Sequence, residues 1–456
     1  VTVEKMMFVS ETGMVTHRAV EAVSSRRIRI QNNRAIRCTV AHVIGYDGAY
    51  GYDTVIRDNV VEGLVSAEPL QYCQGQGIVI SYIRDSIVTG NRIENVSHGI
   101  QWWGGDANPA GLGSPENDRR CKNVVISNNI VTGCGGGGIW GAMGENMTIT
   151  NNIVTDCYDV GIDLEGTFYS TVSNNVVYDC TNGGIVVFFL CKGTIFSGNT
   201  VYSEGDVQYT FKIFNSTQST LNEDVLVTGN TFIHNGDTYG LAGADAGDCT
   251  EKIVYTNNLF VNVLLRQSAH NSRFTQVTGN HFIQTRELKP SIYDRAPDEF
   301  VLPIYAASHH NGGEVIIQDN IVSNYAPQRE GSIAVGITQS DNGSQSFNLV
   351  QGNIIRGYDN DIRFVNEASK PRFEHIFNLE DNVLSAGKVL TQNVEPYFSD
   401  NYMADGSKFI DGIPTEGNYK TGQVFYYASP DEIGYLGAIC VEGGSPGVWK
   451  NFGKCE

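Results

Sequence analysis

Residues 121–193 contain CKNVVISNNIVTGCGGGGIWGAMG (121–144), ENMTITNNIVTDCYDVGIDLEG (145–166) and YSTVSNNVVYDCTNGGIVVFFLCKG (169–193). Each segment has a short apolar run, an Asn-Asn pair, a second apolar run, a cysteine, a bend and a third run opening on Gly-Ile. The second Asn falls at Asn129, Asn152 and Asn175, a repeat of 23 residues. Self-similarity at such a period signals a solenoid, whose repeats stack to bury one continuous core.

The same anchor recurs outward from this stretch, at Asn33, Asn59 and Asn91 before it and at Asn199, Asn230, Asn258, Asn280, Asn320, Asn353 and Asn382 after it, with a weaker one at Asn401. The residue before each anchor is Asn, Gly or Asp, the types that tolerate a left-handed backbone in a tight turn. Three residues before the anchor stands an apolar side chain, from Ile30 to Leu379, and only Tyr255 is partly polar. Two residues after it stands another, from Val61 to Leu384. Two apolar registers and three short strands per repeat, with no helical period, predict an all-β fold. The expected architecture is a right-handed single-stranded parallel β-helix of 13 or 14 coils, about 60 Å long at the usual spacing between strands. A leucine-rich repeat is the competing solenoid, but its leucine spacing is absent.

Composition narrows the functional classes. The formal charge is −19 and only 18% of residues are charged, which argues against a nucleic-acid partner. No apolar run reaches 18 residues, so no membrane insertion is expected. The opening VTVEKMMFVSETG has neither the basic region nor the apolar core of a signal peptide. Cys38, Cys134, Cys157 and Cys180 each follow their anchor by five residues, which predicts a stack of reduced, buried thiols rather than a disulfide framework. No metal-ligand spacing is present, and neither a metal nor a cofactor is expected.

Breaks in the period mark loops. The step from Asn91 to Asn129 is 38 residues and carries WWGGDANPAGLGSPENDRRC; the step from Asn280 to Asn320 is 40. Loops on the side of a solenoid are where binding groups gather. The pattern fails near Asn401, so the chain divides into a β-helix over 1–401 and a small C-terminal β module over 402–456, a candidate trimer tip or carbohydrate-binding unit.

The NN and GN turns across residues 25–400, with the ending GYLGAICVEGGSPGVWKNFG (434–453), resemble bacteriophage tailspike and tail-fibre depolymerases on the pectate-lyase-like β-helix. Many phage tail proteins close with a similar G-x-PG-x-W-K-x-FG pattern. The resemblance implies a homotrimer on a virion tail, an N-terminal virion-attachment domain outside these residues, and action on bacterial O-antigen or capsule. It supplies no shared catalytic signature, so the site must come from the residues themselves.

Aligned on Gly-Ile, the strands at Ile78, Ile100, Ile139, Ile162 and Ile185 alternate faces. One outward column reads Val79, Gln101, Trp140, Asp163, Val186, and the next reads Ser81, Trp103, Ala142, Glu165, Phe188; YTFKIFN adds Lys212 and Phe214. Aromatic rings on an outward face suit the apolar side of a sugar ring. The expected glycan contacts are Gln101, Trp102, Trp103, Trp140, Phe188, Lys212 and the bend residue His98. Asp163 and Glu165 stand about 6.5–7 Å apart at their origins on one strand, near the roughly 6.5–9.5 Å of an inverting glycosidase. The apolar neighbours Ala142 and Phe188 suggest Glu165 as the acid and Asp163 as the base, with Asp159 and Asp106 as further candidates. The expected function is an endo-acting hydrolase of bacterial surface polysaccharide. A polysaccharide lyase using Lys212 and a non-catalytic glycan-binding fibre are the alternatives, and solvated surface carboxylates are the plain reading of the acidic pair.

Overall fold

In the computed structural model the described residues are all except 12–16, 46–49, 65–74, 106–119, 206, 215–220, 245–249, 268–271, 294–302, 309–312, 328–329, 340–345, 368–375, 395–396, 400–401, 404–408, 411, 416–418, 428–429 and 456. Two compact units are formed, Val1–Val254 with Ser291–Asp294, and Tyr255–Pro290 with Arg295–Glu456.

Within the first unit each coil contributes one strand to each of three faces. In the coil around Asn152 these are Thr148–Thr150 before the anchor, Ile153–Thr155 after it and Val160–Phe168 from the Gly-Ile bend. Each pairs in parallel with its equivalent one coil on: Ile149 with Val172, Val154 with Val177, and Asp163 with Val186. The chain is a right-handed parallel β-helix, the hand that parallel crossovers take. The second unit repeats the arrangement, as in the pairings of Val277 with Ile317, Phe282 with Val322 and Val335 with Ile362.

The anchor turn explains why the repeat is so regular. Asn32, Asp58, Asn128, Asn151 and Asn174 take φ between 55° and 57°, and Gly90 takes 68°. Each anchor amide then becomes a rung. Asn152 donates through its backbone N and its Nδ2 to Asn175 Oδ1 at 2.9 and 3.0 Å, and also through Nδ2 to Ile126 O at 3.0 Å. In the first unit the ladder runs from Asn33 through Asn59, Asn91, Asn129, Asn152, Asn175 and Asn199 to Asn230. In the second it runs from Asn258 through Asn280, Asn320 and Asn353 to Asn382. The fully buried amides are thereby satisfied, which removes the desolvation cost of a polar turn inside a solenoid. Asn401 lies outside the described residues.

Both apolar registers are buried at every coil, with Ile30, Ile149, Val154 and Leu379 fully inaccessible. Tyr255 fits the same register because its hydroxyl donates to the buried Gln267 Oε1 at 3.0 Å. Cys38, Cys134, Cys157 and Cys180 are free and buried. Contact with the Cys134 thiol, ahead of burial itself, raises the Cys157 thiol well above its ordinary 9.0.

In the second unit the last coil strand is Tyr402–Met403, paired with Val383–Leu384. Beyond it Phe409–Ile410, Val424–Tyr427, Tyr435–Glu442 and Val448–Lys454 form a four-stranded sheet of their own, antiparallel after the first pair. Its core is Tyr427, Ala438, Cys440 and Trp449. No described helix is long and apolar enough to cross a membrane.

Candidate active site

The Gly-Ile face of the first unit carries the expected columns. Val79 pairs with Gln101, Gln101 with Trp140, Trp140 with Asp163, Asp163 with Val186, and Val186 with Lys212. Beside them Ser81 pairs with Trp103, Trp103 with Ala142 and Ala142 with Glu165. Phe188 follows the Gly183–Val187 strand, and its ring meets Phe214 edge-on at 5.5 Å. Gln101 accepts from Gln76 Nε2 at 2.6 Å.

Trp102 is the exception among the aromatic candidates. Alternation turns Ile100 and Trp102 inward and Gln101 and Trp103 outward, and Trp102 is 0% exposed. Its ring lies against Gly141 of the next coil, where an added Cβ would stand 2.3 Å from Cδ2. Trp102 is therefore a core residue and stands apart from the outward aromatic column. Asp106 lies outside the described residues.

The run of glycines at 135–138 is explained by what crowds it. A Cβ at Gly136 would stand 2.6 Å from His98 Nε2, and one at Gly137 would stand 3.0 Å from the Trp140 ring. The two rings meet at 5.0 Å, tilted by 43°. Ser97 Oγ lies 3.0 Å from His98 Nδ1. Burial lowers the His98 imidazole below its ordinary 6.5, with Asp159 opposing. Burial thus disfavours the charged imidazolium, and the His98 ring is braced against the Trp140 indole.

The carboxylates differ in solvation, and not in the expected sense. Asp163 is 3% exposed, whereas Glu165 is half-buried. Asp163 Oδ1 is buried and has no hydrogen-bond partner among the described residues, as is true of the neighbouring Trp140 Nε1. Burial first, then the charges of Glu165 and Asp159, push the Asp163 carboxyl well above its ordinary 3.8. The desolvated acid is therefore Asp163, and the expectation that Glu165 holds this position is corrected.

A polar ladder borders the acids. Asn182 Nδ2 donates to Asp159 Oδ1 at 2.7 Å, and Lys212 Nζ donates to Asn182 Oδ1 at 2.8 Å and to Gln208 Oε1 at 3.1 Å. The ammonium also lies 5.4 Å from the Tyr209 ring and 5.5 Å from that of Phe214. Sequence reasoning overlooked Asn182, Gln208 and Tyr209. The repeat carried the signal for Asn182, which lies one 23-residue period after Asp159. Glu145, by contrast, is engaged by Arg120 at 3.0 Å and Lys122 at 3.2 Å. Among the described residues no group of three or more His, Cys, Asp and Glu is arranged to hold a metal ion.

The class defined by this fold is the right-handed parallel β-helix, here with acidic and aromatic side chains side by side on its Gly-Ile face. Residues 113–223 match the family described as right handed beta helix region. No curated protein matches the chain. Among solved structures, the Dettilon tailspike protein is similar at 14% identity and a TM-score of 0.39, covering 62% of this chain and 59% of that one. The DFA-IIIase of Arthrobacter chlorophenolicus A6 without its lid is similar at 12% identity and a TM-score of 0.40, over 79% of this chain and 74% of that one. The A-module of the Azotobacter vinelandii mannuronan C-5 epimerase AlgE4 is similar at 13% identity and a TM-score of 0.35, over 86% of this chain and 89% of that one.

Proposed function

We propose that the protein is an endo-acting glycoside hydrolase of a bacterial surface polysaccharide, O-antigen or capsule. The observation that carries this reading is Asp163: a carboxyl 3% exposed, with an unpartnered Oδ1, on an outward column between Trp140 and Lys212. A carboxyl whose surroundings disfavour its ionisation is suited to act as a general acid. Asp163 gives its proton to the glycosidic oxygen as the bond to the anomeric carbon breaks. Glu165, half-buried on the same strand, takes a proton from the water that attacks that carbon. Two residues along a strand leave about 6.5–7 Å between the origins of the pair, space for a water and an inverted product. Asp159, tied to Asn182, is the alternative base. Trp140, Trp103 and Phe188 supply ring faces, and Gln101, His98 and Lys212 supply polar contacts.

The resemblance extends the proposal to a homotrimer on a virion tail, with an attachment domain preceding these residues and the β-helix of 1–401 followed by a distinct module over 402–456. Sedimentation tests the assembly: a stable monomer of 49.8 kDa overturns it.

A mass spectrum of fragments released from candidate capsules and O-antigens tests the chemistry. Hydrolysis adds one water per cleavage, and Asp163→Asn abolishes the fragments. Products lacking that water and carrying an unsaturated uronate support a lyase, a reading favoured by the Lys212 ammonium held between Asn182 and Gln208. An uncut but retained polymer supports a binding-only fibre.

A further inference from the structure

The face of the first unit formed by the strands after each anchor is separate from the one that carries Asp163, and it has an aromatic feature of its own. Strands Ile130–Thr132, Ile153–Thr155, Val176–Tyr178 and Thr200–Ser203 pair in register. Val131, Val154, Val177 and Val201 point inward and are buried. One outward column therefore reads Ile130, Ile153, Val176, Thr200, and the other reads Thr132, Thr155, Tyr178, Tyr202, with Ile233 next. The Tyr178 and Tyr202 rings stack at 5.2 Å with their planes 13° apart. Tyr202 thus covers one face of the Tyr178 ring. The other face is turned toward the preceding coil, where the column steps down from a phenol to Thr155 and then Thr132. The step is open to solvent, since Ile130, Ile153 and Val176 beside it are 43%, 42% and 44% exposed.

Both rings are fixed in place. The Tyr202 hydroxyl donates to Glu204 Oε1 at 2.6 Å and accepts from Asn235 Nδ2 at 2.6 Å. Glu204 also engages the Tyr178 hydroxyl. Glu204 is itself held, because Asp179 Oδ1 accepts from the backbone N of Glu204 at 3.2 Å and of Gly205 at 3.0 Å. The floor of the step is set by Thr155 Oγ1, which donates to Thr132 Oγ1 at 3.1 Å. A platform braced in this way loses little freedom when a ligand lands on it.

We propose that the step at Tyr178 is a second saccharide site, one that takes a neutral pyranose with all its hydroxyls equatorial. Such a sugar presents a face of axial C–H groups, which matches the uncovered Tyr178 ring and the Ile153 side chain next to it. Its hydroxyls then project from the rim, where Asp156, exposed one residue beyond Thr155, offers carboxylate oxygens as acceptors. Asp156, Asp179 and Glu204 make the surroundings negative on a chain of net charge −19. That charge disfavours both an acidic sugar and the like-charged surface of a second copy. Thr155 is the residue that makes room, because a long side chain there would lie on the Tyr178 ring. The site shares no residue with the Gly-Ile face and does not depend on the hydrolase reading.

The test uses the full chain carrying Trp140→Ala and Asp163→Asn, so that the Gly-Ile face is stripped of its ring and its acid. Two probes are compared by saturation-transfer NMR and titration calorimetry: cellotetraose, and the same oligomer with each C6 oxidised to a carboxylate. Cellotetraose is expected to bind saturably and the acidic oligomer at least about tenfold more weakly. Tyr178→Ala lowers the affinity for cellotetraose by about tenfold or more, the worth of a ring face, and Tyr178→Phe keeps most of it. Thr155→Arg, which lays a guanidinium over the ring, lowers it by a similar factor while leaving the denaturation midpoint in place. No saturable binding of cellotetraose, equal affinity for the two probes, or indifference to Tyr178→Ala and Thr155→Arg overturns the proposal. So does self-association that Thr155→Arg abolishes in the absence of cellotetraose binding, which would assign the face to a second copy. Should Tyr178→Ala fail to fold, Thr155→Arg decides alone.

Discussion

Asn182 donates to Asp159 at 2.7 Å, and the two residues occupy the same bend position in successive coils. One more coil on, Gln208 receives Lys212, which is also held by Asn182. The bend before the Gly-Ile strand is thus a polar ladder on the outside of the helix, running beside the acids as the anchor ladder runs inside it. It borders the strand that carries Asp163 and Glu165.

Asp163→Asn separates catalysis from stability. Turnover falls by at least about 10²–10⁴-fold, the range for removing a general acid. Stability moves the other way with pH. The unfolded carboxyl ionises near 3.8 and the folded one well above it. Below 3.8 both states are protonated and there is no cost. As pH rises from 3.8 through the folded value, only the unfolded chain ionises readily, so the folded state loses stability, and the loss levels off above that value. Denaturation curves across this range should show that decline in the wild type and a smaller one in the variant. Parallel curves would remove Asp163 as the buried acid.

The two kinds of tryptophan predict opposite outcomes. Trp102→Ala opens a cavity in the core and costs about 3–5 kcal/mol, read as a fall in the denaturation midpoint. Trp140→Ala, on the outward column, is expected to leave the midpoint within about 1 kcal/mol while weakening glycan binding. A large loss of stability from Trp140→Ala with unchanged binding would make it a structural residue.

Asn152→Ala removes a rung from the middle of the ladder. It orphans the backbone N of Asn129, takes one of two acceptors from Asn129 Nδ2, which keeps Val88 O at 3.1 Å, and deprives Ile126 O and Asn175 Oδ1 of a donor. Each buried group left unsatisfied costs about 1–3 kcal/mol, so urea denaturation should show a loss on the order of 3 kcal/mol or more. Asn382→Ala, at the last described rung, should cost less.

The cysteine stack predicts chemical silence. Cys134, Cys157 and Cys180 should resist alkylation in the folded chain and react fully after unfolding, because all three are buried and, at Cys157 and Cys180, burial with thiol contact also suppresses the nucleophilic thiolate. Cys157→Ala should cost about 1–2 kcal/mol, and a disulfide found by mass spectrometry would contradict the stack.

The fold was legible because each position is written a dozen times over. An aspartate at 58, a glycine at 90 and an asparagine at 128 look unrelated alone, yet in register they share one property, a left-handed backbone. Local periodicity therefore carried coil, turn and core. The candidate site was legible only in part. Register placed Asp163 and Glu165 on the outward side, since alternation is local, but solvation is set by whatever packs above the sheet. Val186 is fully buried although it is on the outward column, and Asp163 beside it is nearly so. Apolar neighbours in the sequence made Glu165 seem the drier residue, whereas three-dimensional cover decided for Asp163. Trp102 misled for a simpler reason: two adjacent tryptophans on a strand cannot both face outward.

The ladder steps from Asn91 to Asn129 across 38 residues at 2.9 Å and from Asn129 to Asn152 across 23 at the same length. The scaffold thus responds to register and is blind to contour length. Whatever chain is spliced between Trp103 and Cys121 can be long or short, sugar-specific or inert, and the next coil still lands on its rung. The coil architecture is therefore indifferent to what that segment carries, and its length and composition can change without costing the ladder a rung.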